Sequence, residues 1–196
     1  MGEDLARAFV SFFAIIDPIG NVAVFYLLTR TLTRPQQRLV ATVSVSTAGA
    51  LLVFFSLGGQ EALDFLGISA DSFKVAAGLL LLLPAFRLVE HGQPMEVSQE
   101  EGLDPIQVAL VPLATPLLAG PGALATATSL SQSLGPGTTI LAIVLVLALS
   151  LALFAAARWL FVWMGPAPLR LVSRLVGILL FAIAVNFILD GLSAIF

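Results

Sequence analysis

FFAIIDPIGNVAVFYL, Phe12 to Leu27, is an apolar stretch with Asp17, Pro18, Gly20 and Asn21 set in its middle. The longer apolar run that contains it, about Ala8 to Leu28, suits a membrane crossing, at about 1.5 Å per residue through roughly 30 Å of hydrocarbon. A carboxylate at the centre of such a helix costs roughly 2.5–3.5 kcal/mol even on the lenient insertion scale, so it needs a partner, a proton or a ligand. Pro18 removes a backbone donor at the same depth and breaks the helix. A second stretch, PLATPLLAGPGALAT from Pro112 to Thr126, carries the breakers Pro112, Pro116, Gly120, Pro121 and Gly122 without a carboxylate. Backbone groups freed by such breaks cannot face lipid, so both stretches are expected to bury against each other or to line a cavity.

The composition points the same way. Of 196 residues, 59% are hydrophobic and 11% charged, against about a quarter charged in soluble domains. Several apolar runs are long enough to span a bilayer, and the length leaves room for about six of them. With no Cys there are no disulfides or thiolate metal sites, and a single His cannot build a zinc site. The net charge of −3 and the lack of any Lys/Arg-rich run leave no electrostatic footprint for nucleic acid. No HExxH, no GxSxG and no paired His occur, so the reading is of a non-enzyme without cofactors. MGEDLARAFV lacks a basic n-region and a small-residue cleavage site, so the first apolar run is expected to be a retained span.

In chain order, span one covers about Ala8 to Leu28 and ends at the polar turn Thr29–Gln37. Span two covers Leu39 to Leu57 and stops at Gly58–Gly59, and its Ser44, Thr47 and Ala48 form a small-residue packing stripe. After the link Gln60–Ser69, span three covers about Ala70 to Val89. Asp71 and Lys74 in its first turn are spaced to pair as an interfacial anchor. His91–Asp104, with Pro94, Gly102, Glu96, Glu100 and Glu101, is the one long hydrophilic connection, and His91 at its start reads as solvated. Span four covers about Ile106 to Leu130. Span five covers about Thr139 to Ala157, ending at Arg158 and Trp159. Span six follows the loop Gly165–Arg170, covers about Leu171 to Leu189, and carries Asn186 before Asp190–Gly191. The links after spans one, three and five hold Arg30, Arg34, Arg38, Arg87, Arg158, Arg170 and Arg174, and the other side holds Arg7 and Lys74. The positive-inside rule then places both termini outside the cytoplasm.

Sliding the chain on itself by about 100 residues sets Pro18 over Pro121, span two over span five, and Gly78-Leu79-Leu80 over Gly177-Ile178-Leu179. Three spans per half reverse the orientation of the second half, the inverted-repeat arrangement of many secondary transporters. The expected fold is therefore an all-α membrane protein. Its six transmembrane helices form two inverted three-helix repeats, residues 1–90 and 105–196, joined by the hydrophilic cytoplasmic linker 91–104. Spans one and four are broken at the midplane. Asp17 has a structural alternative as N-cap of a helix restarting at Pro18, and capping and ligand contact can coexist. The Gly120-Pro121-Gly122 element is read as an unwound ligand-lining segment rather than a lone kink. Asn186 is read either as a site residue or as an interhelical hydrogen-bonding residue.

The runs IIDPIGNVAVF (Ile15–Phe25), LGISADSFKVAAGLLLL (Leu66–Leu82), VPLATPLLAGPGA (Val111–Ala123) and RLVGILLFAIAVNFILDGL (Arg174–Leu192) resemble the MarC family of integral membrane proteins, in order and over nearly the whole chain. That family includes SnatA-type small neutral amino acid transporters. The resemblance implies a multi-pass protein of the bacterial inner or archaeal cell membrane that moves glycine- or alanine-like substrates by alternating access. The alternative is an exporter or channel for another small solute. The implied partners are the amino acid, a coupling proton or sodium ion, the lipid bilayer and, left open, further copies of the chain in a homo-oligomer. The substrate-binding residues expected are Asp17, Pro18, Gly20, Asn21, Thr115, Pro116, Gly120, Pro121, Gly122 and Asn186. A zwitterion needs partial positive charge at its carboxylate, which restarted helix N-termini near Asn21 and Ala123 would provide. It needs acceptors at its ammonium, which Asp17 and freed carbonyls around Thr115–Gly120 would provide. The glycines are expected to leave little volume, favouring small substrates.

Overall fold

A computed structural model of the chain describes residues 2–91, 104–164 and 166–195. The expected linker lies largely outside the described residues. Every described element is helical: α1 (Gly2–Ile16), α2 (Pro18–Thr29), α3 (Arg34–Phe65), α4 (Ala70–His91), α5 (Pro105–Val108), a π-helical segment (Ala109–Leu118), α6 (Pro121–Leu134), α7 (Pro136–Met164) and α8 (Pro166–Ile195). Prolines open α2, α3, α5, α6, α7 and α8. At a first helical turn their missing N–H has no intrahelical partner to lose.

Four helices, within α3, α4, α7 and α8, are long and apolar enough to cross a membrane. Two bent pairs bring the number to six if each is one span: Gly2–Ile16 with Pro18–Tyr26, bent by 40°, and Pro105–Leu118 with Pro121–Leu134, bent by 55°. The two bends fall at the two stretches singled out by their breakers.

Several helix ends differ from the sequence reading. Gly58–Gly59 does not stop α3, which runs on to Phe65. A helical glycine costs only about 1 kcal/mol, and a side chain at Gly59 would press to within 2.5 Å of Thr128 Oγ1 on α6. The glycine is there for close approach. The expected loop Gly165–Arg170 is helical from Pro166 onward, Arg158–Trp159 does not end α7, and Asp190–Gly191 does not end α8. Gly191 packs on the Asp71 carbonyl and Val75 of α4. The Ser44–Ala48 stripe packs inside as expected, with both end residues fully buried. The Lys74–Asp71 pair forms, at 3.2 Å.

Packing divides the molecule into two parts. A large core joins α1, α2, α3, the π-helical segment, α6 and α7, through side chains such as Phe12, Ile16, Leu52, Leu113, Leu118 and Ile143. A second, smaller core joins only α4 and α8, through Leu81, Ala85, Leu88, Leu180 and Ala184. These two helices run antiparallel: a side chain at Gly78 would strike the Ala184 carbonyl and Ile188, and one at Gly177 would strike Leu88 and Val89. The same offset of 99 residues, 177 less 78 and 188 less 89, carries the first close approach onto the second. The outward faces are apolar, with Leu79 and Phe86 of α4 and Leu175, Ile178, Leu179 and Leu189 of α8 exposed. In water that surface would aggregate, and in a bilayer it meets lipid.

Candidate functional site

At the first break the chain turns through Asp17, whose backbone is left-handed at φ 48°, ψ 64°. It is the only non-glycine residue with positive φ among the described residues. Asp and Asn visit this region more readily than other side chains, because a short polar group can bond locally. Here it does: Oδ1 accepts a 2.9 Å hydrogen bond from the Gly20 N–H and so caps α2. Asn21 reaches back in the other direction, its Nδ2 donating to the Ile16 carbonyl at the end of α1 at 2.7 Å. One polar side chain caps each side of the break, which is how a broken helix stays satisfied away from water. Asp17 Oδ2 is left over, buried and without a hydrogen-bond partner among the described residues.

Gly20 has a supporting role in this turn. A Cβ there would overlap Asp17 Oδ2 itself, so glycine is what lets the carboxylate lie across the first turn of α2.

The second break is built from backbone. Val111 and Thr115 are extended, at φ −135°, ψ 116° and φ −131°, ψ 128°. Each precedes a proline, whose ring disfavours helical geometry in the residue before it. The turns between them widen to a π-helix, Thr115 Oγ1 donates to the Leu110 carbonyl at 3.2 Å, and the Ala119 N–H reaches Ala114 at 2.8 Å. The Thr115–Pro116 peptide is cis. Gly120 then caps α6 from an extended conformation, and a Cβ on it would collide with the Pro116 carbonyl.

Between the breaks lies a cavity of about 320 Å³, at the lower end of the range for small-molecule sites, about 300–1,000 Å³. Asp17, Asn21, Pro116, Gly120 and Pro121 line it. Its other walls are Ile15 and Ile16 of α1, Leu117, Ala123 of α6, Leu80, Leu81, Leu83 and Leu88 of α4, and Leu180 of α8. It therefore lies on the seam between the large core and the α4–α8 pair. Arg87 completes the lining.

The remaining expected site residues stand off the cavity. Pro18 starts α2 beside Asp17, Gly20 lies under the carboxylate, and Thr115 bonds within its own segment. Gly122 sits behind the wall, where a Cβ would meet Leu81 at 3.1 Å and Ile15 at 3.5 Å. Asn186 is exposed on α8 and does not line the cavity. The inward stripe of α8 is Gly177, Leu180, Ala184 and Gly191, and a step of two residues from Ala184 turns a side chain by about 200°, to the far face.

Arg87 is the lining residue that sequence reasoning did not select. Counted only for its charge near the end of span three, it lies within α4 and shares the cavity with Asp17. Helical spacing carries the signal, since Leu80, Leu83 and Arg87 fall at i, i+3 and i+7 on one face. Among the described residues no three of His, Asp or Glu gather to hold a metal ion.

No solved structure matches the chain at a significant level. Curated relatives do. It is 38% identical to a UPF0056 membrane protein of Methanocaldococcus jannaschii, over 94% of this chain and 94% of the relative. It is 34% identical to a UPF0056 membrane protein of Aquifex aeolicus, over 97% and 93%, and 32% identical to one of Escherichia coli K12, over 97% and 92%. The pattern of the MarC family of integral membrane proteins matches residues 3–196. With the match covering all but the first two residues, and the apolar helices to go with it, the chain belongs to the MarC family and is a multi-pass membrane protein.

Proposed function

We propose that this protein is a secondary transporter of small neutral amino acids, working by alternating access around the cavity at the two helix breaks. The observation that carries the reading is the Asp17 carboxylate. One oxygen caps α2, and the other is buried without a partner beside a cavity. An uncompensated buried oxygen of this kind destabilises the empty site and is relieved by a donor brought in with a solute, or by a proton. An ammonium group is such a donor, and the resemblance to SnatA-type carriers supports an amino acid as its source.

The seam supports the motion. The α4–α8 pair has its own small core and borders the cavity, although Ile183, Phe187 and Phe73 also touch the rest of the molecule, and this reading takes it as the body that rocks. In the inverted-repeat reading α4 and α8 are the third helices of the two halves, and the matched approaches at Gly78 and Gly177 are what a two-fold relation between the halves would give. The protein sits in the plasma membrane with both termini outside, on the distribution of Arg and Lys. A proton or sodium ion drives it.

Purified protein in vesicles preloaded with unlabelled L-alanine is expected to accelerate entry of labelled L-alanine or glycine. Saturable uptake with trans-stimulation identifies a carrier, and uptake without trans-stimulation identifies a channel. If neither amino acid is taken up above empty vesicles, in either direction and with either ion gradient, the proposal is wrong.

A further inference from the structure

We propose that Arg87 is the anion anchor of the cavity, so that the site selects an overall neutral solute carrying a cationic and an anionic group. The identity of the solute rests on the transport reading above, and the role of the residue rests on geometry.

Three observations carry it. The cavity wall is apolar apart from Asp17, Asn21 and Arg87, and the Asn21 amide N–H group is engaged by the Ile16 carbonyl. The free charges facing the space are thus one carboxylate and one guanidinium, which sum to zero and match a dipolar occupant. A net anion would be left beside Asp17, and a net cation beside Arg87.

The second observation is the helix face. On α4, Leu81, Ala85 and Leu88 form the buried stripe against α8. Leu80 and Arg87 stand one residue away from that stripe and Leu83 two, and all three are exposed. Arg87 therefore sits on the open edge of the cavity, where its long stem can follow the leucines and its head can reach a ligand.

Third, the guanidinium has no ion pair or hydrogen bond among the described residues. Asp71 pairs with Lys74, Glu90 lies against His91, and Arg174 rather than Arg87 holds the Glu90 carbonyl. A guanidinium with its fork unoccupied is suited to a carboxylate, which it binds through two parallel hydrogen bonds. This gives the anion a side chain to bind, in addition to the helix N-termini.

The chain has no cysteine, so Leu83→Cys introduces a single thiol on the cavity face, one helical turn from Arg87. Its thiolate attacks a methanethiosulfonate, forming a mixed disulfide and releasing methanesulfinate. Rates are compared for an anionic sulfonatoethyl and a cationic trimethylammonioethyl reagent. Adding Arg87→Gln is expected to lower the anion-to-cation rate ratio roughly tenfold, and Arg87→Lys is expected to preserve it. A ratio unmoved by Arg87→Gln, or a thiol that reacts with neither reagent, overturns the proposal. If Leu83→Cys lowers the yield of folded protein, Leu80→Cys, also exposed and lining the cavity, carries the same measurement.

A second arm separates the residue from the reading it rests on. L-alanine is expected to slow labelling with Arg87 present, and about tenfold more of it to be needed with Arg87→Gln. Alaninamide and propionate, each lacking one of the two charges, protect weakly in both. Equal protection by alanine with and without Arg87 sinks the anchor and leaves the transport reading standing. A charge ratio that follows Arg87 with no protection by any of the three sinks the amino acid and leaves the anchor standing.

Discussion

Asn in place of Asp17 separates the structural work of this residue from its chemical work, because asparagine keeps the first and loses the second. It caps helices as well as aspartate does, and it tolerates the left-handed backbone that position 17 adopts at φ 48°. Asp17→Asn should therefore leave the fold within about 0.5 kcal/mol of wild type. Asp17→Ala has neither property. Losing the bond to the Gly20 N–H costs about 1 kcal/mol, and a left-handed alanine about 1–2 kcal/mol more. At about 2–4 °C per kcal/mol for a chain of this size, the melting temperature should fall by about 5–10 °C. Transport should order the variants differently. A hydrogen bond to a charged group contributes about 1.5–3 kcal/mol, so neutralising the carboxylate should cut alanine counterflow roughly 10- to 150-fold in Asp17→Asn as well as in Asp17→Ala. Thermal unfolding of the purified protein and counterflow in vesicles measure the two quantities on the same preparations. Wild-type counterflow by Asp17→Asn would refute the assigned role. A melting temperature as low for Asn as for Ala would refute the capping argument, since it would mean that the charge itself holds the turn.

Gly20→Ala should fail structurally, by about 1–3 kcal/mol in thermal unfolding, because its methyl group would take the place of Asp17 Oδ2; stability equal to wild type would mean the carboxylate has another place to go. Gly78→Ala and Gly177→Ala press on α8 and α4 in turn, and each should destabilise by about 1–3 kcal/mol. Because the two sites are matched, similar losses are expected, and a large loss from one alone would count against the pairing. Asn186→Ala, on an exposed face away from the cavity, should leave counterflow kinetics unchanged, and a tenfold rise in half-saturation would put Asn186 back in the site.

The breaks were legible in the sequence because proline and a buried carboxylate have few permitted settings. Asp17 next to Pro18 reads as N-cap and first helical residue, and both are found there. Val111 and Thr115 are extended because prolines follow them. The small-residue stripe on α3 and the Asp71–Lys74 pair were legible for the same reason, each being local in the chain. Helix ends were less legible. Gly59 reads as a stop when taken alone, and only Thr128, 69 residues on, shows it to be a point of close contact. The face of α8 that turns inward depends on α4, so Asn186 could not be placed from its own helix. Arg87 was not selected, because a charge near a helix end carries no sign in the sequence of whether a cavity opens beside it.

The two breaks occupy matched places in the chain but are satisfied by different means, and the difference bears on what enters between them. At the first break, side chains close the backbone from both directions, Asn21 onto Ile16 and Asp17 onto Gly20. At the second, widened turns and extended residues before prolines do so, and Pro116 and Gly120 meet the space mainly with backbone and ring. A strictly two-fold site would offer the same group twice, as suits a symmetric ion. This one offers a carboxylate from α1–α2 on one side and a guanidinium from α4 on another, across leucines. Its occupant should therefore have two unlike ends and bind in one orientation. A zwitterion meets that requirement.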